Sequence, residues 1–164
     1  MKISCYTSGE FDEHLRKSLS DPSYNRVYVL STYLSRDLAK LLAHGAKDRK
    51  IWVIVKIMSY TRRSMRDSIK QAIKYLRKEA KGKVKVKRNE DLTLNMLVLL
   101  KGQRATKKEQ GELLVTSHPT PAPRSEKAVR KCGFVMLSSS DPREVTEARM
   151  VFDRLWAESL ALKI

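Results

Sequence analysis

The chain has 164 residues, enough for one domain spanning 1–164 with a sizeable core, and it carries 34 Lys+Arg against 18 Asp+Glu, a formal net charge of +16. Such an excess costs self-repulsion in the folded state and points to a polyanionic partner, nucleic acid ahead of an anionic membrane surface. No apolar run approaches the roughly 20 residues that span a bilayer, the opening MKISCYTSGEF lacks the apolar stretch of a secretory signal, and Cys5 and Cys132 are too few for a disulfide framework, so the expectation is a cytoplasmic, intracellular protein with reduced thiols.

Ile3–Tyr6 alternates and could open a sheet. Phe11, Leu15 and Leu19 recur every fourth residue and predict a helix that Asp21-Pro22-Ser23 ends. Arg26–Ser31 (RVYVLS) is rich in strand formers, and Ser35–His44 places Leu38, Leu41 and Leu42 on one helical face with Gly45 as its cap. Ile51–Met58 (IWVIVKIM) is an almost unbroken β-branched run, the pattern of a strand buried on both faces. Met65, Ile69, Ala72, Ile73, Leu76 and Ala80 form the clearest helical stripe in the chain, which Gly82 ends. Val84–Arg88 (VKVKR) alternates with Lys85 and Lys87 on one side. After a turn at Asn89-Glu90-Asp91, Leu92–Leu100 reads as a further strand, Lys101–Gly111 as a polar, basic and mobile loop, and Glu112–Thr116 as a short strand. Pro119, Pro121 and Pro123 make the next segment extended. Phe134–Ser139 is a strand, and Asp141-Pro142 starts a last helix whose apolar face is Val145, Ala148, Phe152, Leu155, Trp156 and Ser159. The alternation of strands and helices in the first half predicts an α/β fold with a parallel sheet.

The charge is concentrated. Between Lys56 and Arg88 the basic residues are Lys56, Arg62, Arg63, Arg66, Lys70, Lys74, Arg77, Lys78, Lys81, Lys83, Lys85, Lys87 and Arg88, thirteen against two acids, Asp67 and Glu79, for a local net charge of +11. With the apolar stripe of the helix turned inward, Arg62, Arg66, Lys70, Lys74, Arg77 and Lys81 project to solvent. A solvated helix face usually mixes signs at i,i+4; here Arg62/Arg66, Arg66/Lys70, Lys70/Lys74 and Lys74/Lys78 repel, and a phosphate backbone would relieve that repulsion. Tyr60 and Tyr75 stand near the charge, where a ring could stack on a base, although packing is the commoner role of such residues. Two further basic sets, Lys101/Arg104/Lys107/Lys108 and Arg124/Lys127/Arg130/Lys131, could extend the footprint or be ordinary exposed loops. Asn and Gln are scarce and charge is abundant, a thermophile signature under which an intracellular Cys5–Cys132 bridge would be tolerated.

The second half, KVKVKRNEDLTLNMLVLL, then GELLVTSHPTP, then KCGFVMLSSSDPREVTEARMVFDRLW, resembles the phospholipase D-like superfamily and its small nucleases. In that family a strand carries a histidine-x-lysine-x4-aspartate motif, a glycine-serine-x-asparagine element follows on the next strand, and a helix ending phenylalanine…leucine-tryptophan closes the domain. Phe152, Leu155 and Trp156 match that ending, and the helix and strand order of the first half also fits. The resemblance implies a mixed sheet flanked by helices on both faces. It places Thr93 where the nucleophilic histidine would be, Asn95 where the lysine would be and Leu100 where the aspartate would be, with only Ser117 kept from the second element. Thr93 and Asn95 cannot attack phosphorus or hold its oxygens as histidine and lysine do, so the resemblance argues for the fold and against the activity. It also implies a homodimer whose degenerate central cleft could hold phosphate through Asn95, Ser117 and backbone N–H groups.

His118 beside Ser117 is the one other pairing that suggests chemistry, and two adjacent residues do not make a triad. No Gly-rich phosphate loop, zinc spacing or dinucleotide fingerprint is present, so no metal or cofactor is expected. Three functions remain open to the sequence: a catalytically inactive binder of double-stranded DNA, a nuclease with a rearranged site using His118 or a metal, and a module for an acidic protein partner.

Overall fold

Alternation and β-branched runs decide which segments pair, and helical stripes decide which faces they cover. The computed structural model describes residues 2–6, 8–44, 49–58, 62–81, 83–116 and 134–162. The elements run β1 (Lys2–Tyr6), α1 (Ser8–Ser20), β2 (Tyr24–Ser31), α2 (Arg36–His44), β3 (Lys50–Val55), α3 (Arg63–Glu79), β4 (Val84–Arg88), β5 (Asn95–Lys101), β6 (Gly111–Thr116), β7 (Phe134–Ser139), α4 (Pro142–Glu158) and β8 (Leu160–Ala161). The expected caps Gly45 and Gly82 lie outside the described residues.

The strands form one sheet in the order β1-β7-β6-β5-β2-β3-β4-β8. β2, β3 and β4 are parallel, with Val53 between Val29 and Val86, as the βαβ alternation predicts. The other pairings are antiparallel. β1 departs from the parallel expectation. It crosses to the far edge and pairs with β7, because β5, buried from Asn95 to Leu100, takes the place beside β2.

Both faces of the sheet are covered. Leu15 of α1, Leu38 and Leu42 of α2, and Ile69, Ile73 and Leu76 of α3 pack on one face against Val27, Val29, Val53, Val55, Leu97 and Leu99. α4 covers the other face with Val145, Ala148 and Phe152 against Tyr28, Ile54, Val98 and Leu100. An aromatic series runs beneath α4: Trp52 stacks on Tyr28 at 4.8 Å, Tyr28 meets Phe152 edge-on at 5.0 Å, and Phe152 stacks on Trp156 at 5.8 Å. Burial on two sides explains why β2, β3 and β5 read as continuous apolar runs.

Three expectations are corrected. The strand expected from Leu92 begins at Asn95, because Asn89 Oδ1 accepts from the Asp91 N–H at 2.9 Å and the chain turns there. Ser159 does not extend the apolar face of α4: it is the C-cap, its buried hydroxyl donating to the Leu155 carbonyl at 2.6 Å, and the two-residue β8 follows, too short for any periodicity to reveal. The loop after β5 is anchored rather than loose. Glu109, fully buried, receives Arg26 Nη2 at 2.7 Å and Nη1 at 3.1 Å, lies 3.4 Å from Arg149 Nε on α4, and its backbone N–H donates to Thr146 at 2.9 Å.

Gly111 opens β6 where β5 passes very close. A Cβ built there would lie 1.9 Å from the Leu99 carbonyl oxygen, a backbone atom that cannot swing away. Gly111→Ala should therefore force β5 and β6 apart and cost about 3 kcal/mol, read as a lowered urea midpoint with an unchanged m-value. A variant as stable as the wild type would show that the strands separate freely.

Candidate nucleic-acid interface

The basic helix α3 follows the carboxyl end of β3 and returns across the sheet to β4. Ile69, Ala72, Ile73 and Leu76 are buried, which turns Arg62, Arg63, Lys70, Lys74, Lys78 and Lys81 outward as exposed side chains. Arg66 and Arg77, expected to be fully solvated, are half-buried because they flank the buried stripe. The helix has 17 residues; at about 1.5 Å each it is about 25 Å long, the reach of about seven phosphates along one strand of a duplex. Its first turn contains no acidic residue, and its N-cap position, Arg62, makes no side-chain cap. Both leave the positive end of the helix without the carboxylate that usually complements it. Arg63 lies 3.9 Å from Asp67, but with its side chain 97% exposed this pair neutralises little.

β4 divides its charges. Val84 and Val86 pack with α1–α3, so Lys85 and Lys87 stand on the opposite face, beside α4. The charge run counts them together with the helix; the pleat separates them from it. Lys87 is further committed. Its ammonium donates to the Trp156 carbonyl at 2.6 Å and sits 4.9 Å above the Trp156 ring, closing the negative end of α4. Arg88 shares the parity of Val84 and Val86 and turns to the α3 side, where it lines one concavity with Arg66 and Lys70. Lys83 is exposed just before the strand.

The positions of the degenerate motif are scattered in role. Asn95 and Thr116 are neighbours across β5 and β6, both buried. Asn95 Oδ1 accepts from the Thr32 N–H at 2.8 Å and from the Thr32 hydroxyl at 2.9 Å, fastening the end of β2 to the start of β5. Thr93 is exposed and precedes the strand. Leu100 is fully buried in the apolar layer under α4, at the other end of β5 from Asn95. Ser117 and His118 lie outside the described residues, as do Tyr60, Cys132, Arg124, Lys127, Arg130 and Lys131, and nothing is described of the Cys5 side chain. Among the described residues no three His, Cys, Asp or Glu side chains are placed to hold a metal, and no helix is long and apolar enough to cross a membrane. The loop cations Lys101, Arg104, Lys107 and Lys108 are exposed around the anchored Glu109.

The Arg26–Glu109–Arg149 group, with Arg26 and Glu109 buried and Arg149 partly exposed, was missed in the sequence. Its trace is faint: one arginine in the apolar run RVYVLS and one acid in an otherwise basic loop. Burial alone would raise the Glu109 carboxyl, but hydrogen bonds from Arg26 and Thr106, with the charges of Arg26 and Arg149, outweigh it and hold the group below the usual glutamate range.

No protein-family model matches this sequence, and no curated protein matches it. Solved structures do. Nuc, a phospholipase D family member from Salmonella typhimurium, superimposes with a TM-score of 0.71 at 9% identity, covering 99% of both chains. NucT from Helicobacter pylori gives 0.67 at 14% identity over 98% of this chain and 99% of its own. TrmBL2, described as an archaeal chromatin protein with a novel mode of DNA binding, gives 0.64 at 11% identity over 99% of this chain but 54% of its own. The chain therefore has the phospholipase D-like fold, as its residues implied.

Proposed function

We propose that this protein binds nucleic acid, preferring double-stranded DNA, through sequence-independent contacts to the phosphate backbone, and that it acts as a homodimer without the phosphodiester chemistry of its fold relatives. The observation that carries this reading is the outer face of α3, where Arg62, Arg63, Lys70, Lys74, Lys78 and Lys81 are exposed against two acids on that helix, Asp67 and Glu79. Repulsion among these cations is relieved when phosphates replace their counterions. TrmBL2, which shares this fold, is a chromatin protein that binds DNA, and that supports the same partner here.

Loss of the chemistry is inferred from the side chains. Phosphoryl transfer by a covalent route needs a nucleophile and a cation at the reacting phosphate. Thr93 is a neutral hydroxyl on the surface, Asn95 has its acceptor engaged by Thr32, and Leu100 carries no polar atom.

A gel shift with single- and double-stranded DNA and RNA, run beside plasmid incubation with and without divalent metal, tests both halves. The expected result is retardation of every duplex, strongest for DNA, and intact plasmid in all lanes. Cleavage abolished by His118→Ala would reinstate an enzyme, and tight binding to an acidic protein without DNA affinity at matched salt would replace the partner.

A further inference from the structure

Arg66 and Lys70, one helical turn apart on α3, and Arg88 at the end of β4 line a single recess of about 470 Å³. The other described residues that line it are apolar, with Ile57 and Met58 after β3 and Leu160 and Leu162 at the C-terminal edge. Thr93, Asn95 and Thr116 are not among its lining residues. Among the described residues no carboxylate lines it; Glu90, exposed, lies 3.4 Å from Arg88 Nη1.

A backbone track needs cations but neither a recess nor an apolar wall. The space here is far too small for a duplex and of the size that takes one small molecule. Two guanidinium groups, which match phosphate oxygens in pairs, and one ammonium supply three positive charges. A phosphodiester brings one negative charge, whereas a phosphomonoester brings up to two at neutral pH. The apolar wall suits the sugar and base attached to it.

We infer that this recess binds a phosphomonoester, either the terminal phosphate of a nucleic-acid strand or a free mononucleotide. The strand-end version rests on the nucleic-acid reading above; the nucleotide version does not. The test is a fluorescence-anisotropy titration of the full chain with three matched oligonucleotides, bearing a 5′-phosphate, a 3′-phosphate or hydroxyls at both ends, and a calorimetric titration with adenosine 5′-monophosphate.

A phosphorylated end should bind at least about tenfold more tightly than the hydroxyl strand, and Lys70→Gln and Arg88→Gln, each of which changes a side chain at the rim without disturbing the core, should erase that preference. Mononucleotide binding that the same variants abolish, with no preference for strand ends, would assign the recess to free nucleotide. If mononucleotide binds but no oligonucleotide does, the recess stands and the nucleic-acid reading falls. Equal affinity for all three strands, with no mononucleotide binding, overturns the recess and leaves the backbone reading intact.

Discussion

Glu109→Ala is expected to lower the unfolding free energy by about 3–5 kcal/mol, a large share of the roughly 5–15 kcal/mol that holds an ordinary domain together. The substitution leaves the Arg26 guanidinium buried with no carboxylate, and that uncompensated charge costs more than the pair contributes in excess of apolar packing. Differential scanning calorimetry should show a melting point about 10 °C lower, and added salt should restore little of it, because buried pairs are poorly screened. Replacing both partners, Arg26→Met with Glu109→Leu, should recover much of the loss, since the buried Arg26 charge is gone and Arg149, partly exposed, keeps Asp153 at 2.7 Å. A single variant with wild-type stability would mean that the group contributes nothing to holding the loop after β5.

The same carboxylate gives a pH signature. Its folded-state value is held below the usual glutamate range, so the folded state resists protonation more than the unfolded chain does. The stabilisation is present above the unfolded value of about 4.3 and is lost as pH falls through the lower folded value. Wild type and Glu109→Gln should therefore differ most at neutral pH and converge in acid. A gap that stays constant from neutral pH to pH 2 would contradict the assignment.

The second large effect concerns binding. Changing Arg63, Lys74, Lys78 and Lys81 to Gln removes four exposed charges from the outer face of α3 and leaves its buried stripe untouched. Each lost phosphate contact should reduce the slope of log K against log salt by about 0.9, so four should reduce it by about 3–4 and weaken binding on the order of 1,000-fold near 0.1 M salt. Stability should not fall, because the like-charged neighbours Lys74 and Lys78 no longer repel. Lys87→Met is the matched control. Its ammonium is held by the Trp156 carbonyl and ring, so its loss should lower stability and leave the salt slope where it was. Equal slopes for the fourfold variant and the wild type would remove α3 from the interface.

Much of the fold could be read from the residues because burial writes itself into spacing. The α3 stripe from Met65 to Ala80 and the unbroken run of β3 announce a helix on a buried sheet, and Asp141-Pro142 marks the start of α4, where Asp141 Oδ1 accepts from the Arg143 N–H at 2.8 Å. What the sequence hid depends on pairing between distant segments. Nothing local says that β1 will lie against β7, or that Leu160-Ala161 will join β4. The basic surface shows the same division. The charge run from Lys56 to Arg88 was plain, yet its partition was not: the two-residue period of β4 sends Lys87 to α4 and Arg88 to α3, and only the folded sheet shows that Arg88 shares a recess with Arg66 and Lys70. Glu109 was harder still, because a single acid among lysines looks like solvent-facing variation until Arg26, 83 positions earlier, is placed beside it.

The central claim is that this phospholipase D-like fold grips phosphate by charge without reading sequence. Its most direct test is the salt dependence of binding by the unmodified protein to several unrelated DNA duplexes. With about six phosphate contacts, log K should fall linearly with log salt at a slope near −5, with the same slope and nearly the same affinity for every duplex. A flat response, or no binding even in low salt, would contradict it.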